Sequence, residues 1–120
     1  MNKRKTGTEY ENCAADYLAA NGMHIKERNY RNRSGEIDLI GIHQGYLVFV
    51  EVKYRSGAGY GYASAAVTPS KQRQICKVAD YYRLTHGVKD SCPIRYDVVA
   101  IQGNTVEWLQ NAFPHVRNGR

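Results

Sequence analysis

Tyr10, Cys13, Ala14, Tyr17 and Leu18 recur at the i, i+3, i+4, i+7 and i+8 positions of an amphipathic stripe, and Asn21-Gly22 supplies a stop, so residues 8–21 are predicted to form a helix. Met23 to Tyr30 alternates loosely and predicts a short edge strand, with a polar, basic turn over residues 29–34. Gly35 to Ile42 and Tyr46 to Arg55 are rich in Ile, Leu, Val and Phe and are separated by His43-Gln44-Gly45, the pattern of a hairpin. Residues 56–66 interleave Gly57, Gly59 and Gly61 with Tyr60 and Tyr62, which predicts a mobile surface loop. Thr68-Pro69 opens a second helix whose stripe is Ile75, Val78, Ala79 and Tyr82, ending at Gly87. Ile94 to Ile101 and Thr105 to Leu109 read as strands joined at Gln102-Gly103-Asn104. The order implies one mixed sheet flanked by helices, an α/β domain.

A chain of 120 residues with 42% hydrophobic and 23% charged residues suits a single domain over 1–120, with 1–7 and 115–120 as expected flexible tails. No apolar run approaches the roughly 18 residues of a membrane span, and no apolar stretch follows the basic start Asn2-Lys3-Arg4-Lys5. Cys13, Cys76 and Cys92 form neither a disulfide framework nor a CxxC knuckle, which fits a reducing cytoplasm. Seventeen Lys and Arg against 11 Asp and Glu leave a net charge of +6, clustered at Lys3 to Lys5, Lys26 to Arg33 and Lys71 to Lys77. Such a balance suits either simple solubility or a polyanionic partner such as nucleic acid.

The chemistry-bearing positions lie in the hairpin. With Gln44-Gly45 as a two-residue loop, His43 pairs with Tyr46, which sets Asp38 opposite Glu51 and Glu36 opposite Lys53. Glu51 sits between Val50 and Val52, where an ionised carboxylate without a partner would cost several kcal/mol. Two readings compensate it. In one, Lys53 neutralises Glu51 or Glu36 at an ion-paired strand edge, with Asp38 in solvent. In the other, Asp38, Glu51 and a backbone carbonyl hold a divalent metal such as Mg²⁺, and Lys53 acts on an attacking water or on the transition state of phosphodiester cleavage. Thr8 and Glu11 have capping-box spacing, and Glu11 also borders the face expected to pack on the sheet.

Gly35-Glu36-Ile37-Asp38-Leu39-Ile40 followed by Val48-Phe49-Val50-Glu51-Val52-Lys53 resembles the signature of the YraN-type small bacterial proteins, within the PD-(D/E)XK nuclease-like superfamily and similar to Holliday-junction resolvases. Glu11 with Asn12 to Leu18, Ala66 to Lys71, Arg95 to Val99 and Ala112-Phe113 fall in the expected order. The resemblance implies a restriction-endonuclease-like central mixed sheet flanked by helices. It implies Asp38 and Glu51 as ligands of Mg²⁺ or Mn²⁺, Lys53 as the catalytic lysine and Glu11 as an accessory acid. Ile37 stands where the superfamily has proline, and Tyr10 where the family usually has glycine.

Lys71 and Arg73 in the first turns of the second helix oppose its dipole unless an anion is present. With Arg31, Arg33 and Arg55 they are the candidate nucleic-acid contacts, and Tyr60 and Tyr62 offer rings for base stacking. His24, His43, His86 and His115 show no HExxH or HNH-like grouping, and there is no GxSxG elbow or P-loop, so zinc, serine-hydrolase and nucleotide-binding chemistry lack support. The expected function is Mg²⁺- or Mn²⁺-dependent hydrolysis of DNA phosphodiesters, including branched or flap structures. A non-catalytic nucleic-acid-binding module is the alternative, a protein-interaction domain with a buried salt-bridge network is a third, and a homodimer stays open.

Overall fold

The structure, a computed structural model, describes residues 6–55 and 67–117; the glycine-rich loop with Tyr60 and Tyr62 lies outside the described residues. In chain order its elements are α1 (Gly7–Ala20), β1 (His24–Asn32), β2 (Gly35–His43), β3 (Tyr46–Arg55), α2 (Pro69–Thr85), β4 (Ile94–Gln102) and β5 (Thr105–Leu109). The strands lie in the order β1-β2-β3-β4-β5. All neighbours are antiparallel except β3 and β4, which run parallel because α2 lies between them in the chain. This is the mixed α/β sheet flanked by helices expected from the element order.

Alternation along the strands sorts the core into two layers. Val48, Val50, Val52, Val99 and Ile101 pack with Ala14, Ala15 and Leu18 of α1, whereas Phe49, Tyr96 and Val98 pack with Ile75, Val78, Ala79 and Tyr82 of α2. Residues 47–50 are all buried, since β3 is covered on both faces. The hairpin turn is the two-residue kind, with φ of 52° at Gln44 and 84° at Gly45, and it fixes His43 opposite Tyr46.

The end of β1 and the cap of α1 differ from the sequence reading. β1 runs to Asn32, because Arg31↔Glu36 and Asn32↔Gly35 extend the ladder into residues whose polar side chains look like a turn in sequence. α1 is capped two residues earlier than expected: the Glu9 amide donates to Thr6 Oγ1 at 3.2 Å and the Thr6 amide to Glu9 Oε1 at 2.7 Å, so Thr6 and Glu9, not Thr8 and Glu11, form the capping box. Toward the ends of the described residues, Gly7 is helical, Tyr96 Oη lies 2.7 Å from His115 Nδ1, and the Val116 amide donates to Cys76 Sγ.

The β1–β2 pair contains the irregularity that matters most for the site. Arg28 pairs with Leu39 and Tyr30 with Ile37, while Asn29 between them adopts a left-handed φ of 54°. Leu39 joins the α1-side core and Ile37 the α2-side core, although a regular strand would place residues two apart on one face. The pleat therefore breaks at Asp38.

Candidate functional site

The β2–β3 ladder follows the expected register as far as Leu39↔Val50 and then stops. Where the next rungs would form, Asp38 Oδ2 accepts the Val52 amide proton at 2.7 Å, so a side chain replaces a backbone partner. β3 continues beside β4, with Glu51 opposite Val98 and Lys53 opposite Ala100. Both residues therefore rest on a paired strand while Asp38 reaches over from β2. Thr6 and Glu9 cap α1, so Glu11 is not engaged at the helix start; one carboxylate oxygen from each of Glu11, Glu36 and Asp38 lies within 4.8 Å of the others. Lys53 Nζ is 3.8 Å from Glu51 Oε2; the lysine side chain is 31% exposed and the glutamate 9%.

Crowded carboxylates raise one another's proton affinity. Asp38 is pushed up from 3.8 to about 7, by burial first and then by Glu51, Glu11 and Glu36, against the Val52 amide, which favours the anion. Burial also raises Glu51, which Lys71, Lys53 and a hydrogen-bonding interaction with Asp38 pull back down. The donor set is entirely carboxylate oxygen, half-buried and short of compensating charge, which fits a hard divalent cation such as Mg²⁺ or Mn²⁺.

The other expected residues separate into distinct environments. Glu36 is held by Arg31 at 3.3 Å across the β1–β2 ladder, rather than by Lys53, because the β2–β3 ladder has ended before it. Lys71, half-buried in the first turn of α2, acts electrostatically on Glu51. Arg33 and Arg73 line one groove on the α2 side. Arg55 ends β3, and its side chain is outside the described residues. Tyr10 stacks on Tyr54 with centroids 4.1 Å apart and planes 5° from parallel, which ties the start of α1 to the end of β3.

Two contributors escaped the sequence reading. Glu36 had the signature of a pairing partner, although its position two residues before Asp38 on the same strand was a signal that could have placed it beside that residue. Asn29 carried one signal, since asparagine tolerates a left-handed backbone, but a lone Asn in a basic stretch does not locate a departure from the pleat. A separate buried polar cluster forms at the turn end of the hairpin. Asp97 accepts from Arg95 Nε and Nη2, Trp108 Nε1 and the Asn111 amide at 2.8–2.9 Å, and Arg95 Nη2 lies 3.0 Å from His43 Nδ1. With its carboxylate saturated by donors, Asp97 serves the fold.

The model of the uncharacterised protein family UPF0102 matches residues 10–101. A UPF0102 protein of Lachnoclostridium phytofermentans is 45% identical over 113 residues, 94% of this chain and 96% of its own length. One from Saccharophagus degradans is 43% identical, covering 91% of this chain and 92% of the relative. Among solved structures, a repair endonuclease from Pyrococcus abyssi aligns at 15% identity with a TM-score of 0.49, over 87% of this chain. This chain spans 42% of that protein. Among the described residues, no helix is long and apolar enough to cross a membrane.

Proposed function

This chain belongs to the uncharacterised protein family UPF0102, and from that premise we propose that it is a metal-dependent endonuclease acting on DNA phosphodiesters, branched or flap structures included. The observation that carries the reading is the convergence of Glu11, Glu36 and Asp38 beside Glu51 and Lys53, where Asp38 is raised toward neutrality by its neighbours. A protein that only binds nucleic acid has no use for four carboxylates at one point, because they repel phosphate.

Asp38 and Glu51, with Glu11 as accessory acid and Glu36 beside it, would hold Mg²⁺ or Mn²⁺. When bound, the ion supplies charge neutralisation and Lewis acidity at the scissile phosphate. Lys53 has a different role. Its ammonium, positioned by Glu51 and partly desolvated, is placed to orient the attacking water or to offset the negative charge that grows on the phosphorus-bound oxygens in the transition state. Lys71 balances the charge of Glu51 from the opposite element, so Lys53 is not the sole counter-ion.

The test is cleavage of duplex, single-stranded, flap and four-way-junction DNA with Mn²⁺ or Mg²⁺. The wild-type chain is expected to cut at least one of these substrates. Lys53→Ala should keep Mn²⁺ binding and lose about 10²-fold or more in rate, whereas Glu51→Gln should lose both. Binding without cutting by any metal–substrate pair, or equal residual cutting in the two variants, would establish the binding-only module instead.

A further inference from the structure

Beyond the acidic centre, Arg33 and Ser34 of the β1–β2 turn face Ser70, Arg73, Gln74 and Lys77 of α2 across a groove of about 440 Å³. The four α2 residues fall at i, i+3, i+4 and i+7, so they form a single stripe along the helix, while Ile75, Val78, Ala79 and Tyr82 are buried in the core. Three of the six lining residues are cations and none is acidic. Cations gathered from two elements along one groove suit a polyanion laid between them.

The groove is built by internal contacts. Asn32 Oδ1 accepts the Ser34 amide at 2.9 Å and fixes the turn. Gly35 follows with φ of 146°, and a Cβ there would lie 2.8–2.9 Å from the Gln74 side chain, so the absence of a side chain lets helix and turn meet at the groove floor. The first turn of α2 contains no acidic residue, and its end of the helix dipole is positive. Lys71, between Ser70 and Arg73, acts on Glu51, so the same helix turn borders both the acidic centre and the groove. Arg73 and Lys77 are one helical turn apart, about 6 Å along the axis, which suits successive contacts along a backbone.

Resting on the nucleic-acid reading of the acidic centre, we propose that this groove is a track for the phosphodiester backbone flanking the scissile phosphate, with Arg33, Arg73 and Lys77 as its phosphate contacts. It positions the nucleic acid without reading sequence, since its donors meet phosphates and not base edges.

The experiment compares two charge-matched triple variants of the full chain, Arg33→Gln/Arg73→Gln/Lys77→Gln in the groove and Lys26→Gln/Lys89→Gln/Arg117→Gln on exposed positions elsewhere. Binding to labelled duplex and four-way-junction DNA is titrated over salt in EDTA, with thermal melting as the folding control. The groove triple should lose about 30-fold or more in affinity, and its log–log salt slope should become shallower by about 2 to 3; the control triple should change little. Equal losses in both triples, an unchanged groove triple, or no DNA binding by wild type would overturn the track. If the groove triple melts early, Arg73→Gln and Lys77→Gln singly must each weaken binding and flatten the slope, or the proposal falls. Wild type that cuts nothing yet loses binding in the groove triple refutes the nuclease and keeps the track; wild type that cuts while the groove triple binds normally does the reverse.

Discussion

Asp38 carries the largest consequence at the scale of a single residue. Its carboxyl is raised from 3.8 to about 7, so between those values the folded chain holds a proton that the unfolded chain has released. Below about 4 both states are protonated and the group contributes nothing to the pH dependence. As pH rises toward 7, metal-free protein loses stability through this group, and above about 7 that loss is complete. Asp38→Asn retains an oxygen for the Val52 amide and removes the charge. In EDTA at pH 8 the variant should therefore be more stable than wild type in urea titration, by about 2 to 4 kcal/mol, with the advantage gone below about pH 3.5. A less stable variant at pH 8 would show that Asp38 is compensated within the protein. Glu11 offers a second residue-level check, because helix capping and ion binding now fall on different side chains. Thr6→Ala should cost about 1 kcal/mol in stability and leave Mn²⁺ titration unchanged, whereas Glu11→Gln should weaken Mn²⁺ binding without destabilising the helix. The two roles were inseparable in sequence, where Thr6-x-x-Glu9 and Thr8-x-x-Glu11 carry the same spacing.

At the scale of elements, the hairpin register was legible because apolar alternation and a two-residue turn leave one pairing that buries Leu39, Val48 and Val50 together. What alternation does not encode is where a ladder ends. β2 parts from β3 after Leu39↔Val50, and on the neighbouring strand Asn29, between the partners of Leu39 and Ile37, adopts a left-handed φ of 54°. Asn29→Gly should therefore be nearly neutral to stability and to Mn²⁺ affinity. Asn29→Val, whose branched side chain resists positive φ, should cost about 1 to 2 kcal/mol and weaken Mn²⁺ binding through the displaced Asp38. Denaturant titration and calorimetry on the pair would expose any failure of that link. β1 was under-read because its last two residues, Arg31 and Asn32, are both polar, so apolar alternation has nothing to mark there even though burial alternates along most of the strand.

Across the whole molecule, two polar clusters draw on β2, through His43 in one and Asp38 in the other, and answer to different demands. The Arg95–Asp97 pair at the turn end is buried with each Asp97 oxygen accepting two hydrogen bonds, and Asp97→Ala should cost about 3 to 5 kcal/mol in urea melts by stranding the guanidinium. The sequence showed Arg95 and Asp97 within an apolar strand, but not that His43 and Trp108 would arrive from other strands to complete their partners. The acidic cluster at the other end is connected to the sheet through the Val52 amide, whose proton is held by the Asp38 carboxylate. That single amide is consequently a spectroscopic window on the site. In ¹⁵N-labelled, metal-free protein its proton resonance should move with an apparent midpoint near pH 7, stay flat in Asp38→Asn, and lose its titration near neutrality when Mg²⁺ saturates the carboxylates, giving a readout of occupancy that requires neither DNA nor turnover.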